Sequence, residues 1–183
     1  AVAGGAPRRI GEGVPTFRFA PRGGHLAFLG GVSPQKQFGD LFLLPAGAEK
    51  AVRIGTTVTE FEFAPSGARI AWLDLYSPQS RGGNLTFADV GAEPAPREVG
   101  RNVPSFVWSK DADALAFIYR QTSPAFSVDL HLFRIGKDEK SVQVGRGVFG
   151  YSFSADGERL FFRTEGTRNA RSCDLHTIEV AKP

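Results

Sequence analysis

Apolar residues in this chain alternate with polar ones over short stretches, and each alternation is followed by an unbroken apolar run. Phe17-Arg18-Phe19, Phe61-Glu62-Phe63, Phe106-Val107-Trp108 and Tyr151-Ser152-Phe153 show the alternation. Runs such as Leu26 to Leu29 and Ile70 to Leu73 follow, after a polar turn. A period of two residues is that of a strand with one face buried, and a continuous short run suits a strand buried on both faces. The turn Ala64-Pro65-Ser66-Gly67 places Pro where a fixed φ helps and Gly where φ can turn positive. A looser loop leads to a third strand, Asp40 to Leu44 or Asp129 to Phe133, and a short fourth strand ends at an Ile-Gly or Val-Gly pair. No stretch keeps the three- and four-residue apolar spacing of a helix, because Gly and Pro interrupt every candidate.

The pattern repeats. The leading aromatics stand at positions 17, 61, 106 and 151, so the steps are 44, 45 and 45. Asp40-Leu41, Asn84-Leu85, Asp129-Leu130 and Asp174-Leu175 recur with the same steps. So do Arg9-Ile10-Gly11, Arg53-Ile54-Gly55, Glu98-Val99-Gly100 and Gln143-Val144-Gly145. Four short strands in each repeat of this length predict an all-β chain: a β-propeller of four four-stranded antiparallel blades.

The phrase Tyr151-Ser152-Phe153-Ser154-Ala155-Asp156-Gly157-Glu158-Arg159-Leu160-Phe161-Phe162, followed by Asp174-Leu175, resembles the TolB-like β-propeller repeat. The resemblance runs from Arg9 to Val180. It departs at the turns: copies one and two carry Ala-Pro and lack the turn Asp, and copy three has Ala112 where Gly is usual. Repeats of this kind occur in periplasmic interaction proteins and in gating domains of serine peptidases. The resemblance therefore implies the fold and an extracytoplasmic place, without choosing a function.

The repeats divide the chain into blades at about 14–54, 58–99, 103–144 and 148–180, with a spare strand at 7–11. That front segment matches a fourth strand, and the last repeat stops after its third. The expectation is a clasp in which residues 7–11 pair with the last blade and remove an open edge. Three arrangements satisfy the pattern: a self-closed four-bladed ring, half of a larger ring made by two chains exchanging clasps, or a piece of a longer propeller with open blade faces.

Composition narrows the chemistry. The chain holds 183 residues, no Met and a single cysteine, Cys173, so no internal disulfide forms. The missing Met suggests a processed chain or a piece of a longer one. No apolar run is long enough for a membrane helix, and a net charge of +3 is too small to argue for nucleic acid. Gly-x-Ser-x-Gly is absent, since Gly31-Val32-Ser33-Pro34-Gln35 and Gly150-Tyr151-Ser152-Phe153-Ser154 both fail at the last position. His131 and His176 share one repeat position, held by Phe42 and Thr86 in the earlier copies, and read as strand-surface residues with no third metal ligand. Asp40, Asn84, Asp129 and Asp174 sit in separate blades and read as acceptors of backbone N–H groups. The expectation is a chain with no catalytic constellation, metal or cofactor.

Charge is distributed unevenly between the two ends of the predicted ring. The face carrying the second-to-third-strand loops and the fourth-to-first junctions, here called the top, holds Lys36, Arg81, Arg101, Arg120, Arg146, Arg168 and Arg171 against Glu12, Asp74 and Glu165. The opposite face balances. Arginine matches carboxylate and phosphate in a planar, two-pronged way. The sequence thus predicts a non-enzymatic interaction or scaffold propeller whose top loops bind an acidic protein, peptide or ligand. The alternative is a propeller that gates or positions substrate for an enzyme of the prolyl-oligopeptidase type. Arg101 and Arg146, at the same repeat step, are the leading candidates.

Overall fold

A computed structural model describes residues 6–32, 38–77, 82–91, 93–120, 128–165 and 173–180. These hold fifteen strands and no helix. The first blade contains β1 (Phe17–Phe19), β2 (Leu26–Gly30), β3 (Gly39–Leu44) and β4 (Val52–Val58). The second contains β5 (Glu60–Phe63), β6 (Arg69–Ser77), β7 (Gly82–Asp89) and β8 (Arg97–Val103), and the third β9 (Phe106–Trp108), β10 (Ala114–Arg120), β11 (Val128–Arg134) and β12 (Val142–Gly145). The last has β13 (Val148–Phe153), β14 (Arg159–Glu165) and β15 (Cys173–Glu179). Each sheet is an antiparallel meander in chain order, four strands wide three times and three strands wide once.

Within this chain residues 7–11 and β15 are not paired. Residues 7–11 carry no strand, and β15 has no neighbour on its outer side among the described residues. The front segment is held at the other end of the molecule, where a Cβ on Gly11 would meet the Phe28 ring at 2.7 Å. β12 ends at its Val144-Gly145 pair as expected, whereas β4 and β8 run past the Ile54-Gly55 and Val99-Gly100 pairs that were read as their ends. A left-handed residue, Thr57 (φ 55°) or Asn102 (φ 53°), lies just beyond each pair, and the strand continues through a bulge to Val58 or Val103.

The core is a series of seams between blades. Leu29, Leu41 and Leu43 of the first blade pack with Phe61, Phe63, Ile70 and Trp72 of the second. Leu73, Leu85 and Phe87 meet Phe106, Trp108, Leu115 and Phe117, and Leu130 and Leu132 meet Val148, Leu160 and Phe162. The alternating aromatics of β5, β9 and β13 thus face backwards onto the previous blade, which is why they repeat, whereas Phe17 and Phe19 of β1 are exposed. Each seam needs one bare backbone position. A Cβ on Gly55 would lie 2.8 Å from the Trp72 ring, on Gly100 2.7 Å from Phe117, and on Gly145 2.8 Å from Phe162. The Ile-Gly and Val-Gly pairs therefore mark where a fourth strand lies against the next blade's aromatic ring.

Polar pins complete the seams. The Trp108 indole donates to the Glu62 carbonyl (3.3 Å), and Arg69 donates to the Ala112 carbonyl (2.8 Å). Arg97 reaches the carbonyls of Asp138 and Glu139 while its guanidinium lies 5.0 Å over the Phe133 ring.

Candidate functional site

The top face gathers what the fold leaves unpaired. Arg146 and Gly147 form the tight turn between β12 and β13, with Gly147 left-handed at φ 61°. The turn projects Arg146 into solvent with no acidic partner among the described residues. Three residues later Phe149 is 60 % exposed. A cation in the turn and an uncovered ring at the start of β13 thus stand three residues apart, a combination enriched where proteins bind one another. On the second blade Leu75 is exposed and left-handed at φ 49°, beside the irregularity that separates Asp74 from Ser77. A leucine in that conformation is unusual. Nothing in the sequence pattern marks Leu75, and Phe149 is masked by the repeat aromatic Tyr151 two residues on.

Arg101 differs from its expected setting. It belongs to β8 and not to a loop, and its Nε donates to Glu98 at 2.7 Å. Glu98 in turn accepts from the Asn84 side chain at 3.0 Å. The pair is exposed and locally neutral, and Glu98 raises the pKa of Arg101 above its ordinary value. Arg120 ends β10 opposite Val128. Lys36, Arg81, Arg168 and Arg171 lie outside the described residues.

Around the axis the inner strands bring charges together. Arg18 lies 6.0 Å over the Phe61 ring, and its charge holds down the pKa of both Glu60 and Glu62. Crowding by the neighbouring blades outweighs that attraction and raises both carboxyls, although each keeps access to solvent. The Tyr151 hydroxyl donates to the Ser105 carbonyl at 3.1 Å; burial raises its pKa, with a contribution from Glu60 two blades away.

The histidines are packing residues. His131 stacks on Phe117 with centroids 5.7 Å apart, and His176 on Phe162 at 5.1 Å, the same cross-strand pairing that Phe42 makes with Phe28 at 5.3 Å. Burial lowers the pKa of His131, so its ring is neutral near pH 7. Asp40 and Asn84 do not cap backbone amides as expected. Their side chains bond across to the fourth strand, Asp40 to Arg53 at 3.2 Å and Asn84 to Glu98. No group of three metal-ligating side chains forms among the described residues.

No family model matches the chain, and no curated protein does. Solved structures do. The tricorn protease is 15% identical with a TM-score of 0.61, over 83% of this chain and 15% of its own. The β-propeller domain of the Trilobed protease from Pyrococcus furiosus, described as having an open velcro topology, is 17% identical with a TM-score of 0.59, over 93% of this chain and 56% of its own. A protein described as a putative TolB from Agrobacterium tumefaciens is 18% identical with a TM-score of 0.54, over 90% and 58%. The fold is that of a β-propeller. This chain spans little more than half of the latter two neighbours and about a seventh of the first. At these identities the likeness carries the architecture alone, so function rests on the surface of this propeller.

Proposed function

We propose that this propeller is a non-enzymatic interaction module whose top face binds an acidic, partly apolar segment of another protein. The observation that carries the reading is the junction of β12 and β13, where Arg146 in the turn and Phe149 at the start of β13 offer an exposed guanidinium without an acidic partner among the described residues and an uncovered ring within four residues. Arg101 plays a smaller part than its repeat position suggests, because a ligand carboxylate must compete with Glu98 for it. The arginines that the sequence assigns to the other top loops would add long-range attraction, which accelerates encounter more than it prolongs binding. Exposed Leu75 would extend the apolar footprint. A second reading, a propeller that positions substrate for an enzyme, draws on the Trilobed protease, whose propeller shares this fold.

The test is a titration with fluorescent peptides of alternating Glu and Phe, with Gln-for-Glu and Ala-for-Phe peptides as comparisons. Arg146→Ser and Phe149→Ala should each weaken binding of the Glu-Phe peptide by about 1–3 kcal/mol, the range for a charged hydrogen bond or an interface anchor. Changing Lys137 and Lys140 together to Ser, on the opposite face, should leave it unaltered. Equal losses from both faces would show that only net charge matters, and the proposal would fail.

A further inference from the structure

A groove of about 340 Å³ opens where β8 of the second blade passes the third blade, in the middle of the chain. Gly100, which rests on the Phe117 ring, and Arg101 line it from β8. Tyr119 and His131 form an aromatic wall, edge to face with ring centroids 6.1 Å apart. Asp129, Ser141 and Gln143 add polar groups beside them.

The first and third blades pair their strands in the same way, so this wall can be compared position by position. His131 lies opposite Phe117 as Phe42 lies opposite Phe28, and Tyr119 opposite Asp129 as Gly30 opposite Asp40. Gln143 lies opposite His131 as Arg53 lies opposite Phe42, which puts Ser141 in the place of Ala51. The first blade thus has Gly30, Phe42 and Ala51 where the third has Tyr119, His131 and Ser141. The plainer set satisfies packing, since Phe42 stacks on Phe28 as His131 does on Phe117. The replacements go together. A Cβ on Gly30 would meet the Phe42 ring at 3.0 Å, whereas the smaller imidazole of His131 has Tyr119 beside it. A phenol, an imidazole and a hydroxyl therefore stand on a surface that the fold does not require to be polar.

Their hydrogen-bonding capacity is not used up. His131 Nδ1 lies 3.3 Å from the Ser141 hydroxyl, and its Nε2 has no partner among the described residues. No buried side-chain nitrogen or oxygen lacks a partner there, so Nε2 is open to solvent. The equivalent His176 of the last blade bonds its Nε2 to Thr164 at 2.9 Å. The Ser141 hydroxyl donates or accepts, so His131 can offer Nε2 as an acceptor or as an N–H donor, and the Gln143 amide offers both. Charge disfavours an anion. Asp129 brings a carboxylate to the groove, Glu98 already holds Arg101 at 2.7 Å, and burial keeps His131 neutral near pH 7.

We propose that this groove binds a small planar nitrogen heterocycle of the nucleobase kind, its ring against Tyr119 and His131 and its polar edge on Gln143 and His131 Nε2. The volume lies at the low end of the range of about 300–1,000 Å³ for small-molecule sites, which suits one or two fused rings. The groove uses neither Arg146 nor Phe149, so the proposal stands apart from the peptide-binding reading.

Calorimetric titration with adenine and with cytosine, against benzoate as an aromatic anion, tests it. At least one base should bind saturably, and benzoate should bind about tenfold more weakly or not at all. The triple variant Tyr119→Gly, His131→Phe, Ser141→Ala gives the third blade the set that the first carries. It should keep the circular dichroism of the parent and weaken base binding about tenfold or more. Gln143→Leu, at an exposed position, should weaken it about fivefold or more and decides the matter if the triple variant does not fold. Absence of saturable binding by both bases overturns the proposal. So does benzoate binding as tightly as the bases, and so does undiminished affinity in the folded triple variant or in Gln143→Leu.

Discussion

The bottom turns show how much a single Cβ weighs in this architecture. Gly67 is left-handed at φ 75°, and a Cβ there would fall 2.7 Å from the Arg22 carbonyl oxygen of the blade before. That atom is backbone and has nowhere to go. Gly67→Ala should therefore destabilise the protein by about 2–4 kcal/mol, combining left-handed strain of about 1–2 kcal/mol with displacement of a packed turn. Ala112 makes a contrast. It is left-handed at φ 62° and its methyl is buried in the second seam. Relief of strain in Ala112→Gly is offset by loss of about 0.8 kcal/mol of methyl burial, so that variant should lie within about 1 kcal/mol of the parent. Thermal or urea unfolding of the two variants checks the difference. The departure from Gly at this turn was visible in the sequence, but the reason it is tolerated is a packing contact with residues far along the chain.

At the level of the element, the inner strands place Glu60 and Glu62 where the blades crowd together. Both carboxyls have pKa values above the ordinary 4.5. The folded state therefore holds their protons more tightly than the unfolded chain does. Their contribution is favourable below pH 4.5 and is lost as the pH rises through the folded values. Changing both to Gln should raise the melting temperature at pH 7, and the gain should shrink towards zero as the pH approaches 4.5. A gain of the same size at both pH values would show that charge is not the cause. Strand identity was legible here because Phe61 and Phe63 alternate with Glu60 and Glu62, and the 45-residue step aligned them with other blades. The direction each strand faces was not, since it depends on the next blade. Arg101 illustrates the point: the same step that aligned it with Arg146 gave no sign of the Glu98 side chain beside it on β8. Residues 7–11 match a fourth strand in sequence yet carry no strand in this chain, because pairing with β15 is a long-range matter that local pattern does not encode.

For the molecule as a whole, stability accrues seam by seam, as in other repeat proteins where each unit contacts only its neighbours. The glycine that rests on the following aromatic ring recurs at the same step of the repeat, at Gly11, Gly55, Gly100 and Gly145. A standard joint makes the units interchangeable. Gly55 could as well receive the Phe117 ring as that of Trp72, so the gene can gain or lose a whole repeat without redesigning either side of the cut. Excising residues 59–103, one 45-residue step, joins Val58 to Pro104 and leaves a glycine facing an aromatic at the new junction. That shortened chain should retain a β-rich circular dichroism spectrum and unfold cooperatively, at a lower temperature for want of one seam. Excising only residues 64–103 should give an insoluble product, because it breaks the phase of the joint. What reads as a structural regularity is, in the history of such a chain, a licence for changing the number of blades.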